Sequence, residues 1–110
     1  MKDFHDSHVQ KRSHRLTLGI YAATLNFPRE EPYGLTSRLP RVVEKMGNNE
    51  FQSFLQIASG SASELDCELL LAKDLGYLAK PDYAKIADEL SQIRKMLSAL
   101  LRKVNVDRKG

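Results

Sequence analysis

Residues 51–78 read FQSFLQIASGSASELDCELLLAKDLGYL, and the spacing of their apolar side chains decides the fold. Phe51, Phe54, Leu55, Ala58, Ala62, Leu65, Leu69 and Ala72 recur three and four residues apart, the repeat that lines one face of an α-helix. Asn48 or Asn49 offers a side-chain acceptor to the free N–H groups at its start. Gly76 stands where a glycine closes a helix, with Tyr77 and Leu78 placed to pack back. The predicted helix is ~40 Å long. A face of that length must be buried against other helices.

Working outward, the chain after this helix opens with Pro81 in a first turn, next to Asp82. Tyr83, Ile86, Leu90, Ile93, Leu97, Leu100 and Val104 then form a heptad seam along a helix of ~36 Å. Near the start, Val9, Leu16, Ile20, Ala23 and Phe27 share a narrow stripe, predicting a helix over 8–26 with Ser7 as its cap. Phe27-Pro28 ends it, because a residue before proline avoids the α region. Between Gly34 and Gly47 lie Leu35, Leu39, Val42, Val43 and Met46, with Thr36 as a candidate cap. Pro40 is tolerated only in a first turn, so the regular helix is expected to start as late as Leu39 or Pro40. At most about eleven residues, ~16 Å, are then available to it.

The expected architecture is all-α: an antiparallel up-down-up-down four-helix bundle with a truncated second helix, a single domain over 1–110. Residues 1–7 and 105–110 are expected as frayed tails. The short second helix is expected to leave a groove along the other three helices, open unless another chain fills it.

Composition agrees with one small soluble domain. The chain has 110 residues, 42 % hydrophobic and 28 % charged, with four Pro, six Gly and no Trp. No apolar run is long enough for a membrane span, and the start lacks a signal-peptide core. The single Cys67 leaves no internal disulfide and no cysteine-based zinc cluster, so a cytoplasmic location is expected.

Charge is unevenly placed. The net charge of +3 arises from basic excess in 1–48 and 81–110 around an acidic 49–80. Helices so charged attract one another within a fold or between subunits. The basic end also has a functional reading as a phosphate-binding patch: Lys11, Arg12 and Arg15 of the first helix with Arg94, Arg102 and Lys103 of the fourth are candidate contacts to RNA or DNA.

Chemistry-bearing clusters are few. His5, His8 and His14 gather at a terminus without the surrounding support a metal site needs. Cys67 sits among Glu64, Asp66 and Glu68, a negative setting that disfavours a thiolate nucleophile. Glu64 and Glu68 share a helix face and could hold a metal in a catalytic or ligand-binding bundle, but no histidine follows His14 to complete a di-iron pattern. Ion pairing of these carboxylates to the first or fourth helix is the simpler expectation. The small residues of 58–63 suit close helix approach better than the floor of a ligand site. No catalytic residue, metal or cofactor is assigned.

A second apolar strip is the more informative signal. Leu18 and Leu25 lie opposite the main stripe of the first helix, and Ile57, Leu71 and Leu75 lie off the main stripe of the third. Two helices each apolar on a second side predict self-association through these five residues.

Taken in order, Phe4-His5-Asp6, Ser13-His14, Ile20-Tyr21, Phe27-Pro28, Tyr33-Gly34-Leu35-Thr36-Ser37, Phe54-Leu55, Gly60-Ser61, Leu69-Leu70-Leu71-Ala72-Lys73-Asp74-Leu75-Gly76-Tyr77-Leu78 and Arg94-Lys95-Met96-Leu97 form a recognisable series. The series resembles the four-helix bundle proteins named for reading frames within intervening sequences of bacterial 23S ribosomal RNA genes. It departs from them after Leu39, where about eleven residues, roughly three helical turns, are missing from the second helix. That stretch usually carries Ser-Ile-Pro-Ala-Asn-Ile-Ala-Glu-Gly, and a tryptophan common near position 10 is replaced by Gln10. The resemblance implies a cytosolic, non-enzymatic bundle of unestablished role that forms a homo-oligomer, with a pentamer favoured. The related accessory proteins of diversity-generating retroelements are similar bundles that bind nucleic acid, which makes a nucleic-acid-binding accessory role the alternative expectation.

Overall fold

The computed structural model describes residues 8–47 and 51–109; of residues 47, 51–54 and 104–109 it describes the backbone alone. Four helices follow one another: α1 His8–Thr24, α2 Leu35–Gly47, α3 Phe51–Asp74 and α4 Lys80–Lys109. Packing runs between neighbours in a closed ring, α1 on α2, α2 on α3, α3 on α4 and α4 on α1. This leaves α1 and α3 across the diagonal of a bundle measuring 50 × 22 × 20 Å.

Side-chain pairings join the helices. Arg12 of α1 donates to Gln92 of α4, Arg94 of α4 donates to Asp66 of α3, and Arg38 of α2 faces Glu68 of α3. Tyr21 of α1 donates to Glu44 of α2. Short loops join successive helices, so neighbours run antiparallel, and Phe27 just past α1 packs on Tyr77 just past α3, which sets α1 parallel to α3.

The apolar stripes meet at the centre. Leu16 and Ile20 of α1, Leu35, Leu39, Val43 and Met46 of α2, Leu55, Leu65 and Leu69 of α3, and Leu90, Ile93 and Leu97 of α4 are all buried. Each fully buried Leu or Ile contributes about 1.5–3 kcal/mol of transfer free energy. Ala58, Ser61 and Ala62 face the same core, so the small-residue run of α3 serves close packing. The caps Ser7, Asn48 and Asn49 expected for α1 and α3 lie outside the described residues, as do the 1–7 tail and Gly110.

Helix ends follow local chemistry. Past α3, Gly76 has φ +82°, its N–H donates to the Lys73 carbonyl at 3.0 Å, and the Tyr77 N–H donates to the Ala72 carbonyl at 2.9 Å. This pair of bonds satisfies carbonyls the helix leaves free and turns Leu78 into the core. After α1, Asn26 and Phe27 donate back three residues to Ala23 and Thr24, so the regular helix ends at Thr24, short of the expected residue 26. Phe27 packs on Tyr77 with ring centroids 5.6 Å apart.

Three expectations are corrected. α2 has 13 residues from Leu35, with Pro40 inside it, in place of a start at Leu39 or Pro40. The proline removes one bond, to the Thr36 carbonyl. The first turn is held instead by Gly34, at φ +70°, whose carbonyl accepts from the Arg38 N–H. Thr36 is not the cap: the Glu31 carboxylate accepts from the Tyr33 and Thr36 N–H groups at 3.0 and 3.2 Å. Second, α4 stays helical through Lys109, past the expected start of a tail at 105, since nothing before Gly110 breaks it. Third, the open groove beside the short α2 is not found among the described residues. Val9, Ser13 and Leu16 of α1 and Leu55 and Ala58 of α3 are buried within the single chain.

Candidate functional site

The candidate surface residues fall on three separate faces. Leu18 is 58 % exposed on the side of α1 turned away from the buried Val9, Leu16 and Ile20, and Leu25, in the turn just past α1, is 85 % exposed. Leu25 follows Leu18 by seven residues, one residue beyond the end of the helix. Exposed Lys11 and His14 precede Leu18 on this side of α1.

On α3, Leu71 is 39 % and Leu70 44 % exposed. Leu70 escaped the sequence reading because it sits in a continuous Leu69-Leu70-Leu71 run, where periodicity alone does not say which leucine faces out. Of the other candidates, Ile57 is half-buried, and Leu75 packs partly against the core. Exposed Gly60, Glu64, Cys67 and Asp74 share this outer side. A Cβ built on Gly60 would meet nothing within 4 Å, so the helix is narrow there.

The six basic candidates do not converge. Arg12 is half-buried, bonded to Gln92 and 3.9 Å from the Met96 sulfur, while Arg15 lines a small cleft with Glu89 and Ile93 at the seam of α1 and α4. Lys11 points outward from α1. Arg94 lies on the α3 side of α4, where it donates to Asp66 and to the Ser63 hydroxyl, both at 3.2 Å. Arg102 and Lys103 are exposed. A groove of about 460 Å³ runs along this side, lined by Ser91, Arg94, Lys95, Ser98 and Arg102 with Asp66 at its edge. Lys95 belongs to the basic end that the sequence offers as a phosphate-binding patch, and it sits one turn from Ser91 and next to Arg94.

Glu64 and Glu68 separate in environment. Glu64 is exposed and Glu68 only 8 % exposed. Glu68 faces Arg38 of α2 at 3.7 Å, which corrects the expected pairing of these carboxylates with the first or fourth helix. Its other oxygen is buried and meets no hydrogen-bond donor among the described residues. Burial pushes the Glu68 carboxyl above its ordinary 4.5, the charge of Glu64 adds to the rise, and Arg38 opposes it. No group of three or more His, Cys, Asp or Glu able to hold a metal occurs among the described residues. No helix among them is long and apolar enough to cross a membrane. His5 lies outside the described residues, and His8 and His14 are exposed.

Fold and surface define an all-α four-helix bundle protein whose functional candidates are outward-facing strips. A family model described as 23S rRNA-intervening sequence protein matches residues 5–99. The chain belongs to this family. A search of curated proteins finds no match to it.

Proposed function

We propose that this chain is a non-enzymatic, cytoplasmic scaffold or adaptor that works by homo-oligomerisation, with a pentamer as the favoured assembly. The observation that carries the reading is the pair Leu18 and Leu25, standing in solvent on the outer face of α1 and in the turn just past its end. Leaving a leucine exposed forgoes about 1.5–3 kcal/mol that burial supplies. A second strip at Leu70 and Leu71 gives the molecule two such faces, which an assembly buries and a monomer does not.

Replacing Leu18 and Leu25 by Glu tests this. Sedimentation velocity of the double variant is expected to show monomers with helical circular dichroism retained. Assembly unchanged by both substitutions would remove the α1 face from the reading.

The second reading, an RNA- or DNA-binding accessory protein, is favoured by the groove on α4. Arg94, Lys95 and Arg102 line it with two serine hydroxyls, and α4 carries no acidic side chain between Leu90 and Lys103. Phosphate contacts must weaken steeply with salt. Binding of a short structured RNA that falls with salt and is lost on Arg94→Ala with Arg102→Ala supports it; absence of binding at low salt rejects it.

A further inference from the structure

We infer that the groove on α4 takes a linear row of phosphate groups and reads the phosphates alone, whatever units join them. The ligand class is a linear oligophosphate, or a single phosphodiester strand held by its backbone. This rests on the same groove as the nucleic-acid reading and narrows the chemistry recognised there.

Donors recur at every turn along the groove. Ser91, then Arg94 and Lys95, then Ser98, then Arg102 occupy four successive turns of α4, ~16 Å from end to end. Hydroxyl and cation alternate, so positive charge comes at every second turn with a neutral donor between. A guanidinium grips phosphate through two N–H groups and an ammonium attracts it as a point charge. Lys95 and Arg102 form no ion pair among the described residues, so their charge faces the groove uncompensated.

The lining lacks the groups that read bases. No aromatic ring and no side-chain amide lies among the described residues of the groove. Base recognition uses both, rings for stacking and amides for pairing with base edges. Gln92, the one amide between Leu90 and Lys103, is turned to α1, where it accepts from Arg12. The donors also run straight along one helix, beside the wall that α3 makes with Asp66 and Ser63. A single chain lies along such a row, whereas a duplex curves its phosphates away from it.

Asp66 stands where a phosphate would meet Arg94. Both terminal nitrogens of Arg94 are engaged on α3, one by the Asp66 carboxylate and one by the Ser63 hydroxyl, each at 3.2 Å. The Arg94 and Asp66 side chains are 43 % and 48 % exposed, so the pair holds weakly. A row of phosphates gripped also by Lys95 and Arg102 displaces the carboxylate. Until then Asp66 is a competitor built into the groove.

Titration calorimetry of the full chain at low salt tests this, with orthophosphate, tripolyphosphate, a longer inorganic polyphosphate, a homopolymeric single-stranded RNA and an RNA duplex as probes. Affinity is expected to rise from orthophosphate to the longer chain and to fall with added salt. Arg94→Ala with Arg102→Ala is expected to weaken the longer chain about tenfold with helical circular dichroism retained. Arg29→Ala with Arg41→Ala removes the same charge outside the groove and is expected to leave binding almost unchanged. Asp66→Asn is expected to tighten binding about threefold, and by more than Asp74→Asn, the same change of charge away from the groove. Polyphosphate bound while both RNAs are not supports the inference and removes the nucleic-acid reading. RNA bound while polyphosphate is not overturns the inference and leaves that reading in place. Preference for the duplex over the single chains, no binding of any probe, or equal weakening by the two double-arginine variants also overturns it. Binding weakened by Asp66→Asn removes the competitor role of Asp66.

Discussion

The guanidinium of Arg38 on α2 stands 3.7 Å from the Glu68 carboxylate on α3, at a position where the glutamate is buried and the arginine half in solvent. The pair ties the start of the shortest helix to the longest stretch of continuous core. Its two members are unequally solvated. Glu68 is buried, with one oxygen out of water and without a donor among the described residues, and gains one partly exposed cation, so desolvation outweighs attraction.

That imbalance has a pH signature. The Glu68 carboxyl titrates near 4.5 when unfolded and higher when folded, so the fold binds its proton more tightly than the open chain. Its contribution to stability is fully present below 4.5 and is lost as pH rises through the raised value. Glu68→Gln keeps the shape and removes the ionisation. The variant is expected to melt above wild type at pH 7, with the difference shrinking toward pH 4, measured by circular dichroism. A variant that melts lower at pH 7 would make the Arg38 pair the dominant effect.

Glu31 caps α2 from a distance of five residues, accepting from the Thr36 N–H. Glu31→Ala leaves two backbone donors without this acceptor and is expected to cost about 1 kcal/mol. Urea unfolding should show a lower midpoint with an unchanged slope.

Gly76 and Gly60 respond oppositely to alanine. At Gly76, φ is +82°, so Gly76→Ala forces an L side chain into the left-handed region at a cost of about 1–2 kcal/mol, although space is free around it. Gly60 is helical with open space beside it, and Gly60→Ala is expected to stabilise the folded chain by about 0.5–1 kcal/mol. The added methyl also thickens the α3 face. The same Gly60→Ala variant is therefore expected to assemble less tightly while melting higher at dilutions where the chain is monomeric.

Much of the fold is written in apolar spacing. Leu55, Ala58, Ala62, Leu65, Leu69 and Ala72 of α3 are all buried, as are Ile86, Leu90, Ile93 and Leu97 of α4, because a three- and four-residue repeat has one way to be buried in a helix. The start of α2 was hidden by Pro40, a strong local signal overruled by a cap from Glu31 and by burial of Leu35 and Leu39. Ser13 and Thr24 belong to the α1 core, and nothing in a polar residue type announces that. Thr24 is tolerated there because its hydroxyl donates to the Tyr21 carbonyl at 3.1 Å. The basic residues looked like one patch along the chain and are divided by the bundle. Arg12 and Arg15 face the α1–α4 seam and Arg94 faces α3, a matter of tertiary packing that charge counting does not resolve.

Light scattering behind size exclusion, run on the wild-type chain across a concentration series, tests self-assembly most directly. The account predicts a discrete particle whose mass is a whole multiple of 12.5 kDa. A single 12.5 kDa species at every concentration would contradict it.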